Sequence, residues 1–156
     1  MIDLDWLDVT LGESHAILRP RIGSYDKVME SEYREAVEEL LAAGIHKIAV
    51  DLDSVYVASD QIGLAVAIPV KQFVFSVADS KGIERSQALE ASGVSDYRLV
   101  FFSTKPQTLA KVMMFKFDRL AESNTWLHFV DAESKALALL ALTESDERLI
   151  VPDSAV

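Results

Sequence analysis

The sequence predicts an α/β fold, a mixed and mostly parallel sheet of about five strands with four to five helices. Three observations predict it. Near-continuous apolar runs at 45–52 and 97–102 read as strands buried on both faces. Segments with apolar residues at helical spacing fall between those runs. The resulting order is two strands, then helix–strand three times, then a closing helix. That order implies parallel later strands and helices on both faces of the sheet, unless one face is left open.

The elements follow in chain order. Residues 6–11 and 15–20 form a strand pair joined by Gly12-Glu13-Ser14. Met29, Tyr33, Ala36, Val37, Leu40 and Leu41 define one face of a helix over 29–43. Asp26 is placed to cap its start, and Gly44 sits where a left-handed residue ends a helix. Ile48, Ala49, Val50 and Leu52 mark the next strand. A helix beginning at Asp60 then runs to about Ala78 and is apolar nearly all round, with Pro69 expected to kink or end it. So little polar face means that more of the chain covers this helix, or that a partner does. Residues 83–91 suit a short helix, and Tyr97 to Phe102 a second buried strand. Thr104 and Gln107 have capping-box spacing, with Pro106 in the first turn of a helix reaching about Glu122. Its expected inner face is Leu109, Val112, Met113, Phe117 and Leu120. Met114 and Phe115 fall off that face, as a contact patch or as ordinary exposed apolar residues. Trp126 to Val130 is a third strand, and Asp131 can cap the last helix, through Leu142.

Residues 1–143 are expected to form one domain, with 79–96 as an insertion and 144–156 as an acidic tail. The 156 residues are half hydrophobic, enough for a sizeable core. The net charge of -10 disfavours nucleic acid and anionic membrane surfaces as partners. The chain has no cysteine, hence no disulfide or thiolate chemistry, and a cytoplasmic location is expected. The N-terminus lacks the basic-then-apolar pattern of a signal peptide. The apolar tract from Ile62 to Val70 stops at Lys71-Gln72, short of the ~20 residues that span a bilayer.

Candidate chemistry concentrates at Asp51 to Leu64, where a buried strand ends, a loop follows and a helix begins. α/β domains place binding sites at such loops. The chain carries no Gly-rich phosphate loop, Gly-x-Ser-x-Gly or His-Glu-x-x-His pattern. His15, His46 and His128 share no ligand-like spacing, and neither metal nor cofactor is expected. Asp51 and Asp53 could hold Mg2+, but without a third ligand local hydrogen bonding explains them better. Ser59 and Asp60 suit N-capping. The same helix-terminus physics would accept a phosphoserine or a fixed carboxylate there.

The order of elements and the Asp51–Leu64 segment together resemble the STAS domain family, the bacterial anti-sigma factor antagonists and related domains of sulfate transporters. Family members show a strand ending in Asp-Leu-Ser and, after an apolar-rich loop, Asp-Ser-Ser-Gly-Leu opening a helix. Here Asp51-Leu52-Asp53 and Gly63-Leu64 match that frame. The helix over 29–43, the junction Arg98 to Pro106 and the segment Phe129 to Ala136 are similar to the corresponding family elements. The resemblance covers most of residues 5–142.

The resemblance implies a non-enzymatic regulatory domain in signalling and transcription control, whose partner is an anti-sigma factor or related kinase. The docking residues it implies are Asp53, Ser54, Ser59, Asp60, Gln61 and Gly63. The sequence departs from the family at the switch. Aligned from Asp51, Asp60 takes the phosphorylated serine's position; aligned from Gly63-Leu64, Gln61 takes it. Docking without the usual serine phosphorylation is therefore expected, with a homodimer suggested by the apolar surplus at 62–77. Two other readings stand beside it: a scaffold subunit of a larger assembly, and a small enzyme or ligand-binding domain using Asp51, Asp53 and Asp60.

Overall fold

The computed structural model describes residues 4–21, 25–55, 61–89 and 97–142. The five strands are β1 (Leu7–Leu11), β2 (His15–Pro20), β3 (Lys47–Asp51), β4 (Arg98–Phe102) and β5 (Leu127–Val130). The helices are α1 (Lys27–Ala42), α2 (Gln61–Lys81), α3 (Pro106–Met114), α4 (Phe117–Ser123) and α5 (Glu133–Leu140). The strands lie in chain order, β1-β2-β3-β4-β5. β1 and β2 pair antiparallel, and every later pair is parallel. The α/β class and the mixed, mostly parallel five-stranded sheet are as the sequence predicts.

Strand order fixes where the helices go. Each parallel crossover advances one strand in the same direction, and right-handed crossovers then bring their helices to one face. Ala16, Leu18, Ile48, Val50, Leu99, Phe101 and Leu127 point to that face, against α1, α2 and Val112 of α3. The alternate residues Ile17, Ala49, Val100 and Phe102 point to the other face. There Ala136 and Leu140 of α5 cover them. The sheet is buried on both faces, and among the described residues the helix that covers the second is α5, eight residues long.

α1 forms as its pattern dictates. Asp26 accepts hydrogen bonds from the Val28 and Met29 amides at 2.9 and 3.3 Å. Glu32, buried on the inner face, accepts from the Trp6 amide at 2.9 Å and ties α1 to the chain entering β1. Gly44 takes φ +82°, the left-handed conformation that closes the helix. Gly12 serves a close approach instead: a Cβ there would lie 2.2 Å from the His15 ring.

α2 runs farther than expected. Pro69 neither ends it nor exposes it; the ring is buried inside a 21-residue helix. The proline costs about 3 kcal/mol in an isolated helix. Burial of Ile62, Val66, Phe73 and Val77 offsets it, at ~1.5–3 kcal/mol per large side chain. Lys71 and Gln72 do not interrupt the helix either. Its length and composition would suffice for a membrane span, yet 56% of its most apolar stretch is buried inside the fold. It packs against α1, α3, β4 and the segment around Arg85–Gln87. Of the two covers the sequence leaves open, more of the chain supplies most of this one, and Leu64 stays 42% exposed.

Several local expectations are corrected. The helix over 83–91 reduces to a single 3-10 turn at Arg85–Gln87. The predicted 105–122 helix breaks into α3 and α4, because Lys116 adopts φ +64° and cannot continue an α-helix. Met113 and Leu120, expected inside, are exposed, while Thr108 and Val112 are the buried residues of α3. Thr104 does not cap α3; Lys105 occupies the cap position without a side-chain bond. Asp131 does not cap α5 either. It pairs with Lys135 at 2.7 Å, one turn along the exposed side. The part of the 79–96 insertion beyond Leu89, the helix start at Asp60 and the 144–156 tail lie outside the described residues.

Candidate functional site

β3 ends in a loop that its own sequence holds down. The Leu52 amide donates to the Phe102 carbonyl at 2.9 Å, extending the ladder by one residue beyond Asp51. The Asp53 amide donates to Asp51 Oδ1 at 2.8 Å, the local turn that aspartate favours. The Val55 amide returns to the Leu52 carbonyl at 3.1 Å. Leu52 and Val55 are buried, which anchors the loop to the core at both ends of the turn.

The two aspartates face different partners. Asp51 Oδ2 accepts from Arg19 at 2.9 Å, and the same guanidinium reaches Glu133 of α5 at 2.8 Å. Arg19 also lies 5.9 Å from the centre of the Phe102 ring. This network ties the ends of β2 and β3 to the helix on the second face. Asp53 turns to the β4–α3 junction. Its Oδ1 accepts from Ser103 Oγ at 2.7 Å and the Thr104 amide at 2.8 Å. Its Oδ2 accepts from Thr104 Oγ1 at 3.0 Å. Lys105 Nζ donates to the Asp53 carbonyl, and the Lys105 amide donates to Ser103 Oγ at 3.1 Å. Partial burial opposes the charge on Asp53. The bonds from Ser103 and Thr104, with the Lys105 ammonium beside them, outweigh that cost and hold its carboxyl below the usual value.

With both carboxylates committed to separate protein donors, they do not converge on a shared cation position. Among the described residues no three or more His, Asp or Glu side chains cluster as metal ligands. Ser103, the hydroxyl nearest Asp53, is fully buried, so a substrate cannot reach it.

The start of α2 lies close to this loop in sequence and contacts a different part of the chain. Gln61 Oε1 accepts from the Tyr25 amide at 2.6 Å, fixing the first turn of α2 to the chain leading into α1. Tyr25 and Tyr33 stack with ring centroids 6.3 Å apart. Burial pushes both phenols up, and the Asp51 charge adds to it, so both stay neutral. Gly63 is half-buried, and a Cβ there would meet nothing within 4 Å. Packing therefore does not require glycine at 63. Ser54 and Leu64 are exposed. Ser59 and Asp60 lie outside the described residues.

Of the sequence-predicted site residues, the structure thus places Asp53 as a buttress between two loops, Ser54 on the surface, and Gln61 and Gly63 in the first turn of α2. It adds Ser103, Thr104 and Lys105, about 50 positions along the chain from Asp53. The sequence shows two hydroxyls and a lysine directly after a buried strand, but their link to Asp53 comes only from the parallel pairing of β3 with β4. No protein-family model matches the chain, and no curated protein matches it.

Proposed function

We propose that this protein is a regulatory docking module of the STAS type, binding a partner protein through the β3–α2 loop and the first turns of α2. The partner class is an anti-sigma factor or a related kinase, met in the cytoplasm. The observation that supports the reading is the Asp53 buttress. Loops at the carboxyl end of a parallel sheet are where this architecture recognises other molecules. Here Asp53, in the described part of the β3–α2 loop, accepts four hydrogen bonds from the neighbouring junction across the sheet end, while Ser54 and Leu64 stay outside. A recognition surface fixed before binding loses less conformational entropy on association.

The second part of the proposal concerns regulation. Asp60 or Gln61 takes the position of the family's phosphorylated serine, so the module docks without the serine cycle. A fixed aspartate supplies one negative charge, against the ~1.5–2 of a phosphate.

Photo-crosslinking from Ser54 and Leu64 in cells of the native host tests the docking surface, with Glu38 on the outer side of α1 as control. A discrete adduct from both loop positions, absent at Glu38 and containing a kinase-like or anti-sigma protein, is expected. No adduct, or the same adduct from Glu38, overturns the docking surface. Incubating the captured partner with ATP tests the regulatory part alone: stoichiometric phosphate on Ser59 would overturn it and leave docking intact.

A further inference from the structure

The outer sides of α1 and α2 enclose a cleft of about 470 Å³, within the range of small-molecule sites. It is independent of the docking loop. α1 leads from β2 to β3 and α2 from β3 to β4, so both helices run against the parallel strands and in the same direction as each other. Lys71 and Glu30, at one end of the cleft, pair at 3.5 Å and set the register of the two helices. Residues four apart share a helix face. One turn on from that pair, Arg34 therefore stands level with Phe75, and two turns on Glu38 stands level with Asp79. Arg85, in the turn after α2, lies over the Phe75 ring, 3.5 Å from its centre. The cleft thus has two guanidiniums at its middle and two carboxylates at its far end.

Its floor sets it apart from an ordinary charged surface. Gln72 and Ser76, one turn apart on α2, line the cleft and are only 3% and 5% exposed. Among the described residues neither side chain has a hydrogen-bond partner. Polar groups buried that deeply normally have one, and a ligand in the cleft would supply it. The walls are unmatched as well: among the described residues Arg34, Arg85, Glu38 and Asp79 form no ion pair. The charges that line the cleft balance, three basic against three acidic, in a chain of net charge -10. A simple anion would meet the two carboxylates, and a simple cation the two guanidiniums. A molecule that carries both charges matches both.

We propose that this cleft binds a free amino acid with a polar side chain. Its carboxylate pairs with Arg34 and Arg85, its ammonium with Glu38 and Asp79, and its side chain with the Gln72 amide and the Ser76 hydroxyl.

A nuclear magnetic resonance titration of the isotope-labelled full chain tests the proposal. The probes are L-glutamine, L-asparagine, L-serine and L-threonine. At least one should give saturable shifts of backbone amides within 34–38 and 71–79. Two blocked forms of that amino acid serve as controls, the carboxamide without its carboxylate and the N-acetyl derivative without its ammonium. Each should bind about tenfold more weakly or worse, because a site built from polar groups rejects an analogue that leaves them unpaired. Arg34→Gln and Glu38→Gln should each weaken binding by a similar factor, and both sites are exposed enough to leave the fold intact. Gln72→Leu, which removes the amide from the floor, should weaken it too, with the spectrum outside the cleft unchanged. Absence of saturable shifts with every probe overturns the proposal. So does a blocked form that binds as tightly as its parent, or binding that survives both Arg34→Gln and Glu38→Gln.

Discussion

The chain enters α3 and leaves it in opposite ways. At Ser103–Lys105 the entry is polar, and Asp53 accepts three hydrogen bonds across the sheet end. At Phe115–Lys116 the exit is apolar and exposed, and the backbone takes a conformation that lysine adopts only at a cost. One junction is fixed by satisfied hydrogen bonds; the other keeps an unfavourable turn and three uncovered side chains. Rigidity and exposure are thus divided between the two ends of one nine-residue helix. The entry side fixes residues 51–55 at the end of β3, and the exit side leaves apolar side chains exposed.

The comparison breaks first if the entry is not held by Asp53. Asp53→Ala should lower stability by about 2–3 kcal/mol, since a carboxylate accepting several hydrogen bonds is worth more than a neutral acceptor. Urea denaturation of the full chain measures it, and a loss below about 0.5 kcal/mol, typical of an unremarkable surface site, would remove the buttress from the account. The pH dependence sharpens the same point. Asp53 titrates below its ordinary value of 3.8 in the fold, so it favours folding above that pH. That contribution is lost as pH falls through the lower folded value. The stability gap between the wild type and Asp53→Asn should therefore be constant near neutrality and close in acid. A gap that widens in acid would reverse the sign and contradict the assignment.

The exit predicts the opposite response. Lys116→Gly should raise stability by about 1 kcal/mol by relieving the left-handed lysine, measured in the same urea titration. A destabilised variant would mean that the lysine side chain supports the turn. The smallest effect belongs to α2. Gly63→Ala should stabilise by about 0.5 kcal/mol, because the added methyl meets open space in a helical turn. If the loop docks a partner closely, the same variant weakens binding while strengthening the fold, and calorimetry with the captured partner separates the two.

Much of the fold is legible in the sequence because periodicity carries it. The α1 stripe from Met29 to Leu41 and the apolar run of β3 give element type and place, and the bounds of β2 are read without error. The α3–α4 break is not legible. Phe115 and Phe117 prolong an apolar run, and neither glycine nor proline marks the turn that Lys116 makes. Thr104 has the right spacing for a cap, yet a carboxylate from another strand end takes its hydroxyl and amide. Spacing reports local options, and tertiary partners choose among them. For the same reason the sequence points to Asp53 as a site residue without pointing to Ser103 and Thr104. Their link is a contact between loops that only the parallel pairing of β3 with β4 brings together.

The proposed docking surface is the β3–α2 loop. Hydrogen exchange of the full chain, alone and saturated with the partner captured from Ser54 and Leu64, tests it most directly. Docking through the loop should slow exchange across residues 54–66 and leave residues 113–120 unchanged. Protection confined to 113–120, with none at the loop, would contradict it.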